Sequence, residues 1–245
     1  IALTAAAGVK IVDSLISVKG ELHAPAVAQK NGEIMIYAQG ANKTDKQGAS
    51  RVEVAGRLDV SGKNQGENGG TIKVLGDEIS VYSDTVMDAS GHTGLVNTTK
   101  DKPVSARRTG SAGGEILIGG DYLGQGDVPT ARVLEVYDDA LFLNDATYLG
   151  DAGRTIFWSD GKTNFAGLVF ARGGMMGGDG GFVETSGRES LQAHGSADLT
   201  AAAGKMGTYF LDPTNITIYG SLSPKDLDKV ESGAVLDKKK NPTDD

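Results

Sequence analysis

The sequence has no cysteine and only 6 prolines, 3 histidines and 1 tryptophan in 245 residues. Without cysteine there is no disulfide framework. The chain then suits either a cytosolic protein or a bacterial exported one that avoids oxidation chemistry. Scarce proline without a Gly-X-Y period excludes collagen. No apolar run approaches the roughly 18 to 20 residues that a membrane-spanning helix needs, so no membrane insertion is expected. An excess of positive charge is missing too: 24 Lys and Arg stand against 32 Asp and Glu, for a net charge of -8. A nucleic-acid binder needs a basic face, and an anionic membrane surface would repel this chain, so neither is expected as a partner. The start, Ile1-Ala2-Leu3-Thr4, carries neither an initiator Met nor the basic-then-apolar order of a signal peptide, and reads as a mature piece or an excised fragment.

What is abundant is glycine, 36 residues, together with 39% hydrophobic residues placed in short alternations. That ordered alternation argues against disorder. It recurs after one glycine in each unit. Gly32 precedes Ile34 and Ile36; Gly70 precedes Ile72 and Val74; Gly114 precedes Ile116 and Ile118. Gly153 precedes Thr155 and Phe157, Gly181 precedes Val183 and Thr185, and Gly207 precedes Tyr209 and Leu211. Strict alternation is the pattern of a strand with one buried face, because successive side chains point to opposite sides. The sixth residue after each anchor (Ala38, Gly76, Gly120, Ser159, Gly187, Pro213) is small or turn-forming and is expected to end the strand. Further short strands follow at 78–82 and 84–88, and units close on small polar corners such as Asp59-Val60-Ser61-Gly62 and Asp88-Ala89-Ser90-Gly91.

Short strands joined by Gly/Asp corners describe a coil, and a coil buries its apolar residues only against stacked neighbours. A helical reading fails, since glycine at this density costs close to 1 kcal/mol per residue inside helices. Propellers and antiparallel sandwiches favour tight hairpins, whereas these corners read as bends in a winding chain. The expected fold is therefore all-β, a parallel β-helix. Anchor spacings of 38, 44, 39, 28 and 26 residues are uneven. The longer gaps leave room for an extra coil, with 50–60 as one candidate, or for an inserted loop. Roughly eight to ten coils at about 4.8 Å would make a rod on the order of 40 to 50 Å long.

The β-helix is expected over 1–220, with all six prolines between strands or at their ends, as a hydrogen-bonded ladder requires. Two segments break the repeat: a polar one near 92–112 that carries Lys100, Lys102, Arg107 and Arg108, and a Gly/Pro-marked one at 123–131. Both read as loops extruded from a coil, where repeat proteins place binding chemistry. The last segment, 221–245, shifts to Lys, Asp and Pro and reads as a polar tail or cap.

Gly180-Gly181-Phe182-Val183-Glu184-Thr185-Ser186-Gly187 and Gly207-Thr208-Tyr209-Phe210-Leu211-Asp212-Pro213-Thr214-Asn215-Ile216-Thr217-Ile218 resemble the filamentous-haemagglutinin-like exoproteins of two-partner secretion. Gly119-Gly120-Asp121-Tyr122, Trp158-Ser159-Asp160-Gly161 and Phe170-Ala171-Arg172-Gly173-Gly174 extend the resemblance, which runs in consistent order over roughly 30 to 220. It implies a right-handed parallel β-helix, exported by Gram-negative bacteria and displayed at or released from the cell surface. The role it implies is adhesion to host cells, other bacteria or matrix, through a glycan or protein receptor. It also implies an outer-membrane transporter as partner, engaged through an N-terminal secretion domain. The Asn-Pro-Asn signatures of that domain are absent here, which marks the chain as an internal or processed segment.

Rival chemistries find weaker support. Gly161-Lys162-Thr163 lacks the phosphate loop's earlier glycine, since position 156 is Ile. His23, His92 and His194 have no metal-ligand spacing. Gly177-Gly178-Asp179-Gly180-Gly181 echoes a calcium-binding nonapeptide, but only once. Asp77, Asp121 and Asp160 recur at one corner and would gather Ca²⁺ only if adjacent coils stacked them. A polysaccharide-degrading enzyme needs paired carboxylates or a metal cluster beside a base, and Glu78 and Asp88 sit instead at ordinary repeat positions. No catalytic, cofactor or metal residue is assigned. The contact candidates are the basic residues Lys100, Lys102, Arg107 and Arg108, together with Trp158, whose place beside the core residue Phe157 turns it outward and leaves it partly exposed or at a corner. The expected function is a non-enzymatic, rigid scaffold within a large secreted surface adhesin. A β-helix enzyme and a calcium-stabilised spacer are the alternatives.

Overall fold

The alternating segments form two faces of parallel strands, described by a computed structural model over residues 1–6, 15–24, 32–39, 49–64, 66–92 and 111–213. One sheet stacks the six anchored strands onto a seventh: β1 (Ala2–Ala6), β3 (Glu33–Gln39), β5 (Thr71–Leu75), β8 (Glu115–Ile118), β11 (Arg154–Ser159), β14 (Phe182–Gly187) and β17 (Thr208–Pro213), in that order. The second sheet begins with two nine-residue strands, β2 (Leu15–His23) and β4 (Arg51–Asp59). From the next coil onward this side divides in two. One row is β6 (Glu78–Val81), β9 (Val133–Val136), β12 (Lys162–Phe165) and β15 (Ser190–Ala193). The other is β7 (Val86–Asp88), β10 (Leu141–Leu143), β13 (Leu168–Phe170) and β16 (Ser196–Asp198). Every pairing between these strands is parallel, so the architecture is a parallel β-helix.

The undivided strands bend at Gly20 and Gly56, which have φ of 126° and 131°. A Cβ on Gly56 would come 2.1 Å from the Gly20 carbonyl oxygen, so only glycine fits this stacked bend. In later coils the same place is taken by true corners at 82–85 and 137–140, where Asp84 and Asp139 adopt positive φ.

Register follows the alternation. Ile34, Ile72, Ile116, Thr155, Val183 and Tyr209 form one inner row, and Ile36, Val74, Ile118, Phe157, Thr185 and Leu211 the next. All but the β17 members are buried. Phe157 meets Phe142 edge-on at 4.8 Å and Phe165 at 4.6 Å, so three rings pack together in the core. Besides the threonines of these rows, the interior holds the buried Asn144. Its Nδ2 donates to the Gly114 and Arg154 carbonyls at 3.1 and 3.0 Å.

Three expectations need correction. The six anchors lie on successive strands of one sheet with no coil between them, and 50–60 is the second side of its own coil, not an extra one. The seven stacked strands therefore extend about 29 Å, short of 40 Å. Strands end on Ser159, Gly187 and Pro213, and β5 stops just before Gly76, as expected; the correction is at Ala38, which β3 passes by one residue to end at Gln39. The basic loop residues and the tail 221–245 lie outside the described residues.

Candidate functional site

Outward positions of the first sheet are ordinarily wet, yet Leu117, Ile156 and Trp158 are buried on that face, with Phe182 packed beside them. Their cover is the loop that leaves β8 at Gly119 and returns at Ala131, closed at its base by Ala131 N donating to Gly119 O at 2.7 Å. The loop begins four residues before the expected 123. It lies over its own sheet, where a compact surface loop packs on its own side chains. Its apex is a single 3-10 turn, Tyr122–Gly124, capped by Asp121, whose Oδ1 accepts from Tyr122 N at 2.6 Å.

Trp158 is 3% exposed, which corrects the expectation of a partly exposed ring. The loop backbone at Gly120 and Gly124 lies directly against the indole. The ring is held from its edge by Asp160, which accepts from Nε1 at 3.3 Å, and the Arg188 guanidinium sits 5.8 Å from the ring centre. Phe157 is core, as expected.

The same cover buries an acid. Glu184 points outward from β14 but is fully enclosed, with Leu123 N donating to both its carboxylate oxygens and Ser186 Oγ donating at 2.7 Å. Burial pushes its carboxyl up, Ser186 and Leu123 pull it back, Asp212 adds a further push, and the balance stays above the ordinary value. Arg154 ties the loop down from the other side, bonding Glu115 Oε1 through Nε at 3.0 Å and Asp121 Oδ1 through Nη2 at 2.9 Å. Burial disfavours its charge, but the two carboxylates prevail and raise its pKa.

At the loop's margin three rings gather: Tyr122 meets Phe182 edge-on at 5.5 Å and Phe210 at 6.2 Å, and Tyr122 is 40% exposed. Beside them opens a groove of about 540 Å³ lined by Arg154, Phe182, Asp179, Lys205, Met206 and Thr208 among others. The acids here serve the backbone: Asp151 Oδ1 accepts from Asp179 N at 2.7 Å, and Asp179 Oδ1 from Lys205 N at 2.8 Å. A ring-edged groove with one arginine and one lysine offers stacking and hydrogen bonding to a partner.

The remaining sequence candidates disperse. Asp77 bonds Ser50 N and Oγ, Asp121 caps the 3-10 turn, and Asp160 holds Trp158 and Thr130. Register keeps the three apart, because Asp77 aligns with Arg132 on the next coil and the loop displaces Asp121. Among the described residues no group of three or more His, Asp or Glu could hold a metal ion. Thr163 of Gly161-Lys162-Thr163 faces inward and donates to Ser186 O at 2.7 Å. Glu78 pairs with Arg51 and Arg132, and Asp88 with Arg57. Lys100, Lys102, Arg107 and Arg108 lie outside the described residues.

Sequence reading missed Glu184, Tyr122, Phe182 and Phe210. A signal for the cover existed: Ile116-Leu117-Ile118 and Ile156-Phe157-Trp158 are apolar at every position, the pattern of strands buried on both faces. No family model matches the sequence, and no curated protein matches it. Among solved structures the chain is similar to the crystal structure of the HMW1 secretion domain from Haemophilus influenzae, at 22% identity and a TM-score of 0.50, over 81% of this chain. It spans 49% of that chain's length, and the likeness is one of fold.

Proposed function

We propose that this chain is a non-enzymatic segment of a large secreted surface adhesin, a stiff β-helical spacer that carries contact loops. Its full protein would leave a Gram-negative cell through an outer-membrane transporter. The observation that carries the reading is the unbroken inner register from β3 to β14, coil on coil, which resists bending and holds outer loops at fixed heights. The resemblance of 180–187 and 207–218 to two-partner-secretion exoproteins supports it. So does the fold shared with a protein described as a secretion domain.

The receptor contact in this reading is the basic segment Lys100, Lys102, Arg107 and Arg108, four cations in nine residues of an acidic chain. Beads coated with the full 245-residue chain are expected to bind epithelial cells or bacteria. The Lys100→Ala, Lys102→Ala, Arg107→Ala, Arg108→Ala variant should lose most of that binding at an unchanged melting temperature. Binding equal to uncoated beads overturns the adhesin reading. Sustained reducing-sugar release from a polysaccharide panel overturns the non-enzymatic one, and a melting temperature lowered by EDTA would favour a calcium-stabilised spacer instead.

A further inference from the structure

A second set of rings stands on the other face of the coil, at the corners that follow β6 and β9. Tyr82 and Tyr137 occupy equivalent corners of adjacent coils and stack face to face, with centres 5.3 Å apart and planes 20° apart. They are 36% and 43% exposed. The spacing matches the distance between coils, so each ring stands at the height of its own coil and turns its other face to the next one.

The residues on either side of the pair follow from the ladder. Tyr82 N bonds Val54 O, Tyr137 N bonds Val81 O, Ala166 N bonds Val136 O and His194 N bonds Phe165 O. With Lys19 opposite Ala55, the outward row reads Lys19, Ala55, Tyr82, Tyr137, Ala166, His194. Beyond Tyr137 the row therefore drops to a methyl group for one coil and rises again at the exposed His194. Two coil spacings, about 9.6 Å, separate the heights of the Tyr137 and His194 rings. One further ring at ordinary stacking distance fits between them.

The rim of this gap holds acceptors. Glu135 and Asn164 precede Tyr137 and Ala166 by two residues on the same outer face, with Asn164 Nδ2 donating to Glu135 Oε2 at 3.2 Å. Lys162 Nζ lies 3.7 Å from Glu135 Oε1, which leaves Asp138 and Asp139 as the carboxylates without a cation in this cluster's ion pairs among the described residues. Asn164 Oδ1 is buried without a partner. Asp138 accepts from Ser83 Oγ at 3.1 Å, and Asp139 is exposed beside it. Carboxylates and an orphan amide oxygen call for a donor-rich ligand and repel an anionic one. The orphan oxygen also favours the Ala166 side over the Ala55 side, which Lys19 borders.

We propose that the gap over Ala166, between Tyr137 and His194, takes one hexopyranose ring of an uncharged glycan. The C–H face of the sugar stacks on Tyr137, and its hydroxyls donate to Asn164 Oδ1 and the Glu135, Asp138 and Asp139 carboxylates. The site is distant in sequence from the basic segment, so failed cell adhesion by the lysine and arginine variants leaves it standing, and the reverse holds.

The test is calorimetric titration of the full 245-residue chain with maltohexaose, cellohexaose, mannohexaose and chitohexaose, and with a heparin hexasaccharide as the anionic comparison. At least one uncharged hexasaccharide should bind, with little dependence on salt, and heparin should not. Tyr137→Ala should weaken binding at least tenfold. Ala166→Tyr fills the missing rung with the protein's own ring and should abolish binding without lowering the melting temperature, whereas Ala55→Tyr should leave it intact. Silence of all four uncharged sugars overturns the proposal. So does binding that survives Ala166→Tyr, or preference for the heparin hexasaccharide.

Discussion

The backbone N–H of Leu123 donates to both carboxylate oxygens of Glu184, at 3.2 Å to each, across 61 residues of sequence. The contact pins the loop apex, where Leu123 itself sits at a φ of 56°. It also sets a pH dependence of definite sign. The folded Glu184 carboxyl titrates above its ordinary 4.5, chiefly through burial, so the folded state holds the proton more tightly than the unfolded chain does. Its contribution to stability is greatest below 4.5 and is lost as pH rises through the folded value. Each unit of such a shift corresponds to about 1.4 kcal/mol. Glu184→Gln keeps an acceptor for Leu123 and removes the buried charge. Its melting temperature is expected to equal or exceed the parent's at pH 7.5, with the parent gaining on it as pH falls to 5. A deficit of the same size at both pH values would mean that the charge plays no part.

Asp59 behaves in the opposite sense. Burial alone would raise its carboxyl, but Lys63 Nζ at 2.8 Å and the Ser61 N–H and hydroxyl outweigh burial and bring it from 3.8 down to about 2. A depressed carboxyl stabilises the fold above 3.8 and loses that contribution as pH falls through 2. Asp59→Asn should cost on the order of 1 to 2 kcal/mol in urea unfolding at pH 7, after allowance for the half-exposed Lys63, and almost nothing at pH 2. An equal cost at both pH values would assign the effect to packing.

The rows from Ile34 to Thr185 were legible in the sequence because a strand with one wet face must alternate, and a one-residue slip would turn every such side chain outward. Coil number was not. A 44-residue interval such as Gly70 to Gly114 holds one coil whether the excess is strand or loop, and only the ladder between β5 and β8 decides. The site was harder still. Glu184 looks like any outward acid on an alternating strand, and what buries it is a loop that departs from β8, two coils earlier. The stacked tyrosines are 55 residues apart, and the alanine that leaves the gap beside them is conspicuous only in register.

Asn144 tests how a polar side chain is held inside the coil. Its amide donates to two carbonyls and to Thr155 Oγ1 at 3.3 Å, while its Oδ1 has no partner. Asn144→Ala removes the donors but leaves carbonyls that also accept from the ladder, and should cost about 1 to 3 kcal/mol. Asn144→Asp sets a carboxylate against those same carbonyl oxygens in a buried site and should cost distinctly more, about 3 to 5 kcal/mol. Chemical unfolding at pH 7 ranks the two, and the reverse order would show that the side chain at 144 does not face those carbonyls.

Gly124 decides whether the loop lies down on Trp158. Its φ is 64°, and a Cβ there would stand 2.4 Å from two carbons of the indole ring. Gly124→Ala therefore carries both a conformational cost and an overlap that only a lifted loop relieves. Lifting the loop wets the indole and strips the cover from Glu184 in the same movement. Trp158 is the only tryptophan in the chain, so fluorescence reports on this place alone. The parent should emit in the blue and resist acrylamide; Gly124→Ala should shift to the red, quench readily and lose about 1 to 3 kcal/mol. Trp158→Ala, which empties the space without strain, should cost about 3 to 5 kcal/mol. Because the Glu184 carboxylate regains water when the loop lifts, Gly124→Ala should also lose the acid-side gain in melting temperature that Glu184→Gln removes. Blue, unquenched emission from Gly124→Ala would show that the backbone absorbs the added methyl without opening the cover.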